Sequence, residues 1–328
     1  MEYRLLGQSG SKISLIGFGC APASGYDYGP LDESAWISAV RAALNVGINL
    51  FDTADVYGFG RAEALLAEAL GADRHQSVVA TKFGLVWNVA GEVARDSSPA
   101  AIRRSLDASL TRLRMEAIPL YQLHWPDGRT RLSDIVGTLR ELQEAGKIIH
   151  FGVTNATMED LPALGAKTGI QSVQQHYNLF SRNIENGLLA WAEQQGISVI
   201  VHSALARGLL GGNHHFGDDF GSFDTRTKSR YFAVRDAEKK QLVLDELIRL
   251  AVQYGVSPAT LALRWVADEP RVSSVLVGIK TVKQLLADVA LLDLRLSTTD
   301  RERLSAISTA CPGVMTGELA GKTNWRHE

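Results

Sequence analysis

The chain has 328 residues, 45% of them hydrophobic and 21% charged, with a formal net charge of -2. That is an ordinary globular composition with room for a large core, and its charge balance argues against nucleic-acid or anionic-membrane partners. Two cysteines, Cys20 and Cys311, lie far apart in sequence, so neither a disulfide framework nor a zinc knuckle is expected. Met1-Glu2-Tyr3-Arg4 opens no signal-peptide pattern, and no apolar run approaches about 18 residues, which gives a soluble, cytoplasmic protein as the expectation.

Residues 3–14, with Gly7 and Ser9-Gly10-Ser11 at their centre, read as a hairpin able to plug the bottom of a barrel. Short apolar runs follow at 15–19, 48–51, 78–81, 118–123, 149–153, 172–177, 198–201 and 274–277. They are nearly continuous in apolar character and rich in β-branched residues, as buried parallel strands are. Helical patterns separate them. Over 99–113, Ile102, Leu106, Leu110 and Leu113 share one face, and Ser98-Pro99 supplies a cap followed by Pro at the first helical position. Ser257-Pro258 repeats that start ahead of Leu261, Trp265 and Val266. Residues 208–239 break the rhythm: Gly-rich, with His214-His215 and several Asp, they fit a long loop after the seventh strand. Eight strands, each but the last separated from the next by roughly one helix, predict a closed (β/α)8 TIM barrel, a single domain over 1–328.

Active sites of such barrels sit where the strands end. Here those ends are polar: Asp52-Thr53-Ala54-Asp55 with Tyr57 beyond, Lys82, His124-Trp125, Thr154-Asn155, Gln174-Gln175-His176 and His202-Ser203. A strand-end lysine alone would reach solvent. A buried one needs a partner, and Asp52 on the adjacent strand can provide it. A lysine so held beside Tyr57 would favour the phenolate and lower the pKa of Tyr57, making it a general acid usable near neutrality. His124 could donate to, or relay a proton toward, the same oxygen. Alone it would be a satisfied histidine; the set of four gives it weight.

The segments Gly47-Ile48-Asn49-Leu50-Phe51-Asp52-Thr53-Ala54-Asp55-Val56-Tyr57-Gly58, Ala80-Thr81-Lys82, Gln122-Leu123-His124-Trp125-Pro126 and Gly152-Val153-Thr154-Asn155 resemble the signatures of the aldo-keto reductase superfamily. Gly146-Lys147-Ile148, Gln174 and Tyr177-Asn178 add to the match, which covers nearly the whole chain in order. The resemblance implies a tetrad of Asp52, Tyr57, Lys82 and His124 and a nicotinamide cofactor held without a Rossmann fingerprint. It assigns Thr154, Asn155 and Gln174 to the nicotinamide amide, with Thr154 where serine is more usual. His202 stands in place of a ring-stacking tyrosine. Ser203, Leu205, Arg207 and Gly208 would run beside the pyrophosphate. Gly278, Lys280, Thr281 and Gln284 would meet the adenosine end. Ala287-Asp288 replaces a common Glu-Asn pair, and a carboxylate there opposes a phosphorylated ribose. NADP(H) is favoured over NAD(H) on the strength of Lys280. Tyr26, Tyr28, Phe59, Trp87 and Trp125 are candidates for the substrate wall, and Arg226, Lys228 and Arg230 for phosphate or water.

The function so implied is reduction of an aldehyde or ketone, a sugar derivative included, to an alcohol. Aldose 1-dehydrogenase is the alternative within the family, and an NADP-binding sensor resembling a channel subunit is the alternative outside catalysis. A two-carboxylate glycosidase would leave Tyr57 without a role. A Schiff-base enzyme would use Lys82 as nucleophile. A metal hydrolase would recruit His124, His176 and His202, which lack the spacing of a dedicated metal site. The oligomeric state is not legible.

Overall fold

Leu6 and Ile13 decide how the chain begins. In the computed structural model, which describes residues 1–25, 28–221 and 224–309, strands β1 (Tyr3–Leu5) and β2 (Lys12–Ser14) pair antiparallel as Tyr3↔Ser14 to Leu5↔Lys12. Leu6 and Ile13, both fully buried, pack against Leu50, Ala80, Leu120, Ile200 and Leu276. These five project from separate barrel strands, so the hairpin caps a dry apolar layer as expected. Tyr26 and Cys311 lie outside the described residues, as does the side chain of Lys228.

The chain then alternates. In order come β3 (Ile16–Gly19), α1 (Glu33–Asn45), β4 (Leu50–Asp52), α2 (Arg61–Leu70) and β5 (Val78–Phe83). A second hairpin, β6 (Leu85–Trp87) and β7 (Val93–Arg95), precedes α3 (Pro99–Leu113), β8 (Ile118–Leu123), α4 (Leu132–Glu144) and β9 (Ile148–Thr154). The last third holds β10 (Ser172–His176), α5 (Leu188–Gln195), β11 (Ser198–His202), α6 (Ala237–Tyr254), α7 (Pro258–Ala267), β12 (Val272–Gly278), α8 (Val282–Val289) and α9 (Thr298–Thr309). Strands β3, β4, β5, β8, β9, β10, β11 and β12 close into an all-parallel barrel, β12 pairing back onto β3.

Closure requires bare backbone at two points. A Cβ on Gly17 would meet Leu276 Cδ2 at 2.5 Å, and one on Gly152 would meet the Ser172 carbonyl oxygen at 2.8 Å. The predicted caps form: Ser98 Oγ accepts from Ala101 N at 3.3 Å and Ser257 Oγ from Thr260 N at 3.0 Å.

Two expectations change. No α-helix joins β9 to β10; the connection is 3-10 turns over Leu161–Leu164 and Ala166–Thr168. Pro162, Gly165 and Gly169 explain it, since proline and glycine both penalise a helix interior. Several strands also run further than their apolar cores, taking in Asp52, Lys82, Thr154 and His202. Ladder hydrogen bonding carries these polar residues to the rim of the barrel.

Candidate active site

Asp52 closes β4, and Lys82 sits two residues above Ala80 on β5, so alternation turns both inward, a layer above Leu50 and Ala80. Their ion pair is 2.5 Å long and sealed, with Asp52 4% and Lys82 1% exposed. Lys82 Nζ also donates to the Thr53 carbonyl at 2.8 Å. Burial alone would pull the ammonium's pKa down; Asp52 and Tyr57 reverse this and hold it above the usual lysine range. The other Asp52 oxygen accepts from Gln174 Nε2 at 2.8 Å and Gln122 Nε2 at 3.1 Å. Gln122 entered the sequence reading only within the motif around His124 and was not assigned to the site, although it lies two residues before His124, the parity that finds inward residues.

Tyr57 follows β4 and lines the mouth. Lys82 Nζ stands 5.2 Å from its ring centre, and the His124 ring meets it edge-on at 6.0 Å. The expected downward pull on the phenol is outweighed. Burial pushes the Tyr57 pKa up to about 12, and Lys82, whose charge is shared with Asp52, only partly offsets it. Tyr57 is therefore a phenol that keeps its proton. Burial, then the charges of Lys82 and Arg95, hold His124 well below the usual imidazole range, so it is neutral; its Nδ1 is buried without a partner among the described residues.

Thr154 Oγ1 donates to the His124 carbonyl at 2.6 Å, and Asn155 Nδ2 to the same oxygen at 3.1 Å. Asn155 takes a left-handed backbone, φ 58°, as do Ser203 and Arg207 along the same groove. Left-handed non-glycine residues are costly, and asparagine tolerates the region best. The His176 and His202 rings lie 4.0 Å apart; burial keeps both neutral, His176 down at about 3.

One groove of about 810 Å³ joins these groups. Asp52, Tyr57 and His124 line it, with Lys82 behind Asp52. So do Thr154, Asn155, Gln174, His202, Ser203, Leu205, Arg207, Gly208, Gly278, Lys280, Thr281, Gln284 and Asp288. Thr281 caps α8 by accepting from Gln284 N at 3.2 Å, leaving a helix N-terminus with Lys280 beside it, a setting suited to anions. Lys280 Nζ donates to the Tyr28 carbonyl at 2.6 Å and to that of Pro30 at 3.3 Å. Burial raises Asp288 to about 7, so near neutrality its carboxyl opposes a phosphate less than its charge alone suggests. The donor set and the groove's volume suit a dinucleotide. Gly19 at the end of β3 and the loop residues Ala21, Pro22 and Asn213 line the groove too.

Phe59, Trp87 and Trp125 stand outside this lining. Phe59 and Trp87 pack at 5.6 Å, and Arg95 lies 5.1 Å over the Trp125 ring, making an aromatic rim with the β6–β7 hairpin. Among the described residues no three His, Cys, Asp or Glu side chains gather to hold a metal ion, and no helix is long and apolar enough to cross a membrane.

Comparison with known proteins agrees with this geometry. Residues 15–309 match the model of the Aldo/keto reductase family. The chain is 33% identical to Aldo-keto reductase YhdN of Bacillus subtilis (strain 168), covering 94% of this chain and 93% of that one. It is 31% identical to Probable aldo-keto reductase 1 of Glycine max, over 96% and 90%. The solved glycerol dehydrogenase AKR11B4 from Gluconobacter oxydans superposes with a TM-score of 0.84 at 33% identity, covering 94% of this chain and 96% of that one. The holo form of aldo-keto reductase AKR11C1 from Bacillus halodurans gives a TM-score of 0.76 at 26% identity, with the same coverage. This chain belongs to the aldo/keto reductase family, whose members are nicotinamide-dependent oxidoreductases.

Proposed function

We propose that this enzyme reduces an aldehyde or ketone, a sugar or sugar derivative included, to the alcohol, with Tyr57 as general acid and NADP(H) preferred over NAD(H). The observation that carries the reading is the buried Lys82–Asp52 pair behind a phenol that holds its proton. A bound nicotinamide would supply the hydride. Tyr57 donates its proton to the carbonyl oxygen, Lys82 stabilises the phenolate left behind, and neutral His124 orients the same oxygen by hydrogen bonding. Asp52 holds Lys82 in place. Thr154, Asn155 and Gln174 would position the nicotinamide amide, and His202 would lie against the ring. Lys280 and the α8 terminus support the preference for a phosphorylated ribose.

Oxidation of a polyol or aldose is the second reading, drawn from the likeness to the Gluconobacter oxydans glycerol dehydrogenase. It needs Tyr57 as phenolate, which a pKa of about 12 disfavours near neutrality. Mixing the protein with NADPH and a panel of aldehydes, and following the absorbance of reduced cofactor, tests the first reading. Faster turnover of NADP+ with glycerol or free aldoses at neutral pH reverses the order. Cofactor binding without turnover on either panel supports a sensor instead.

A further inference from the structure

At the end of the groove formed by β12 and α8, a carboxylate already occupies an arginine fork. Asp224, 5% exposed, accepts from Arg226 through both oxygens: Nη2 at 2.6 Å, and Nε at 3.0 and 3.1 Å. The Arg226 backbone N–H also reaches Asp224 Oδ1 at 2.9 Å. Arg226 lines the groove, with its guanidinium 4.2 Å over the Phe220 ring. Gly29 abuts the same carboxylate, since a Cβ there would lie 3.9 Å from Asp224 Oδ2. On either side of Gly29, the Tyr28 and Pro30 carbonyls hold the Lys280 ammonium. Two cations, one from the long loop and one from the end of β12, thus converge on one short stretch, and the anion between them belongs to the protein. Burial would raise the Asp224 carboxyl; Arg226, and Lys280 beyond it, hold it below the usual range, so it is ionised.

We propose that Asp224 is a resident anion that a phosphate group of the dinucleotide must displace from Arg226, and that it thereby tunes how tightly the groove takes its cofactor. This rests on the reading of the groove as a nicotinamide dinucleotide site. The arginine fork matches carboxylate and phosphate alike, in two parallel hydrogen bonds. A phosphate monoester carries up to twice the charge of a carboxylate, so it gains more from the Arg226–Lys280 pair. The exchange costs the cofactor the pairing that Asp224 already enjoys, and it repels any phosphate that approaches.

Asp224→Asn tests this. Asparagine keeps the size and the capping ability while removing the charge. Full-length protein and variant are titrated with NADPH and with NADH, following tryptophan fluorescence. The expected result is about tenfold tighter NADPH binding in the variant, the scale of one like charge removed at short range. Unchanged NADH identifies the 2′-phosphate as the competing group, and equal tightening of both identifies the pyrophosphate. Arg226→Gln is expected to weaken whichever cofactor Asp224→Asn tightens. Unchanged or weaker binding of both cofactors by Asp224→Asn overturns the proposal, and so does indifference to Arg226→Gln. Wild-type protein that binds neither cofactor would instead sink the dinucleotide reading itself.

Discussion

Lys82 Nζ and Asp52 Oδ1 lie 2.5 Å apart in a layer almost wholly closed to water. Removing one partner leaves the other charge buried. Lys82→Met is therefore expected to destabilise the fold by about 3–5 kcal/mol, the usual cost of breaking a buried pair. Denaturant unfolding measures it. The double variant Asp52→Leu, Lys82→Met should recover much of the loss; a double variant as unstable as the single one would refute the pairing argument.

Tyr57→Phe removes the proposed acid and keeps the ring. Turnover should fall by about 10² or more, the contribution of a positioned general acid. Cofactor affinity, read by fluorescence titration, should change little. Near-normal carbonyl reduction by this variant would exclude Tyr57 as the proton donor.

The pH profile follows from the protonation states of two groups. Tyr57 keeps its proton until about pH 12, and His124 sheds its own well below the ordinary imidazole value. Neither changes state between about pH 7 and about pH 10, so kcat/KM for reduction should be level with respect to both. Oxidation, which needs the phenolate, should climb with pH across the same range. A step near neutrality that His124→Gln abolishes would contradict the neutral imidazole.

Asp55 gives a stability prediction. It is 1% exposed, and neither oxygen finds a well-formed hydrogen bond among the described residues. Burial first, then the nearby Glu63, raises its pKa from 3.8 to about 8. Between those values the folded state keeps a proton that the unfolded state has released. Stability is thus full below about pH 4 and falls as pH rises to about 8, by up to about 1.4 kcal/mol per unit. Asp55→Asn should flatten that slope and gain on the parent as pH rises, which denaturation midpoints across the range will show. Parallel slopes for the two proteins would count against it.

Much of this was legible in the residues. Short apolar runs bounded by helical periods gave the strand order, because parallel strands covered on both faces have no polar side. Their position at the strand ends placed Asp52, Lys82, His124, Thr154 and Gln174 at one mouth. The pKa of Tyr57 was not legible. It depends on how much water the folded loops exclude, which no local pattern encodes, and the loss of solvation exceeded the pull of Lys82. The partners of Gln174 and Lys280, which are Asp52 and the Tyr28 loop, are tertiary contacts across 122 and 252 residues of chain. The missing helix before β10 could have been read from Pro162, Gly165 and Gly169.

The N-terminal hairpin has a bearing on traffic. Leu6 and Ile13 cork the barrel with a layer that offers protons and water no foothold. Under the proposed mechanism, Tyr57 must then be recharged through the same mouth by which substrate arrives. A product lingering at that mouth would hold up the next proton as well as the next substrate, so the exit of product and the resetting of the acid form a single queue.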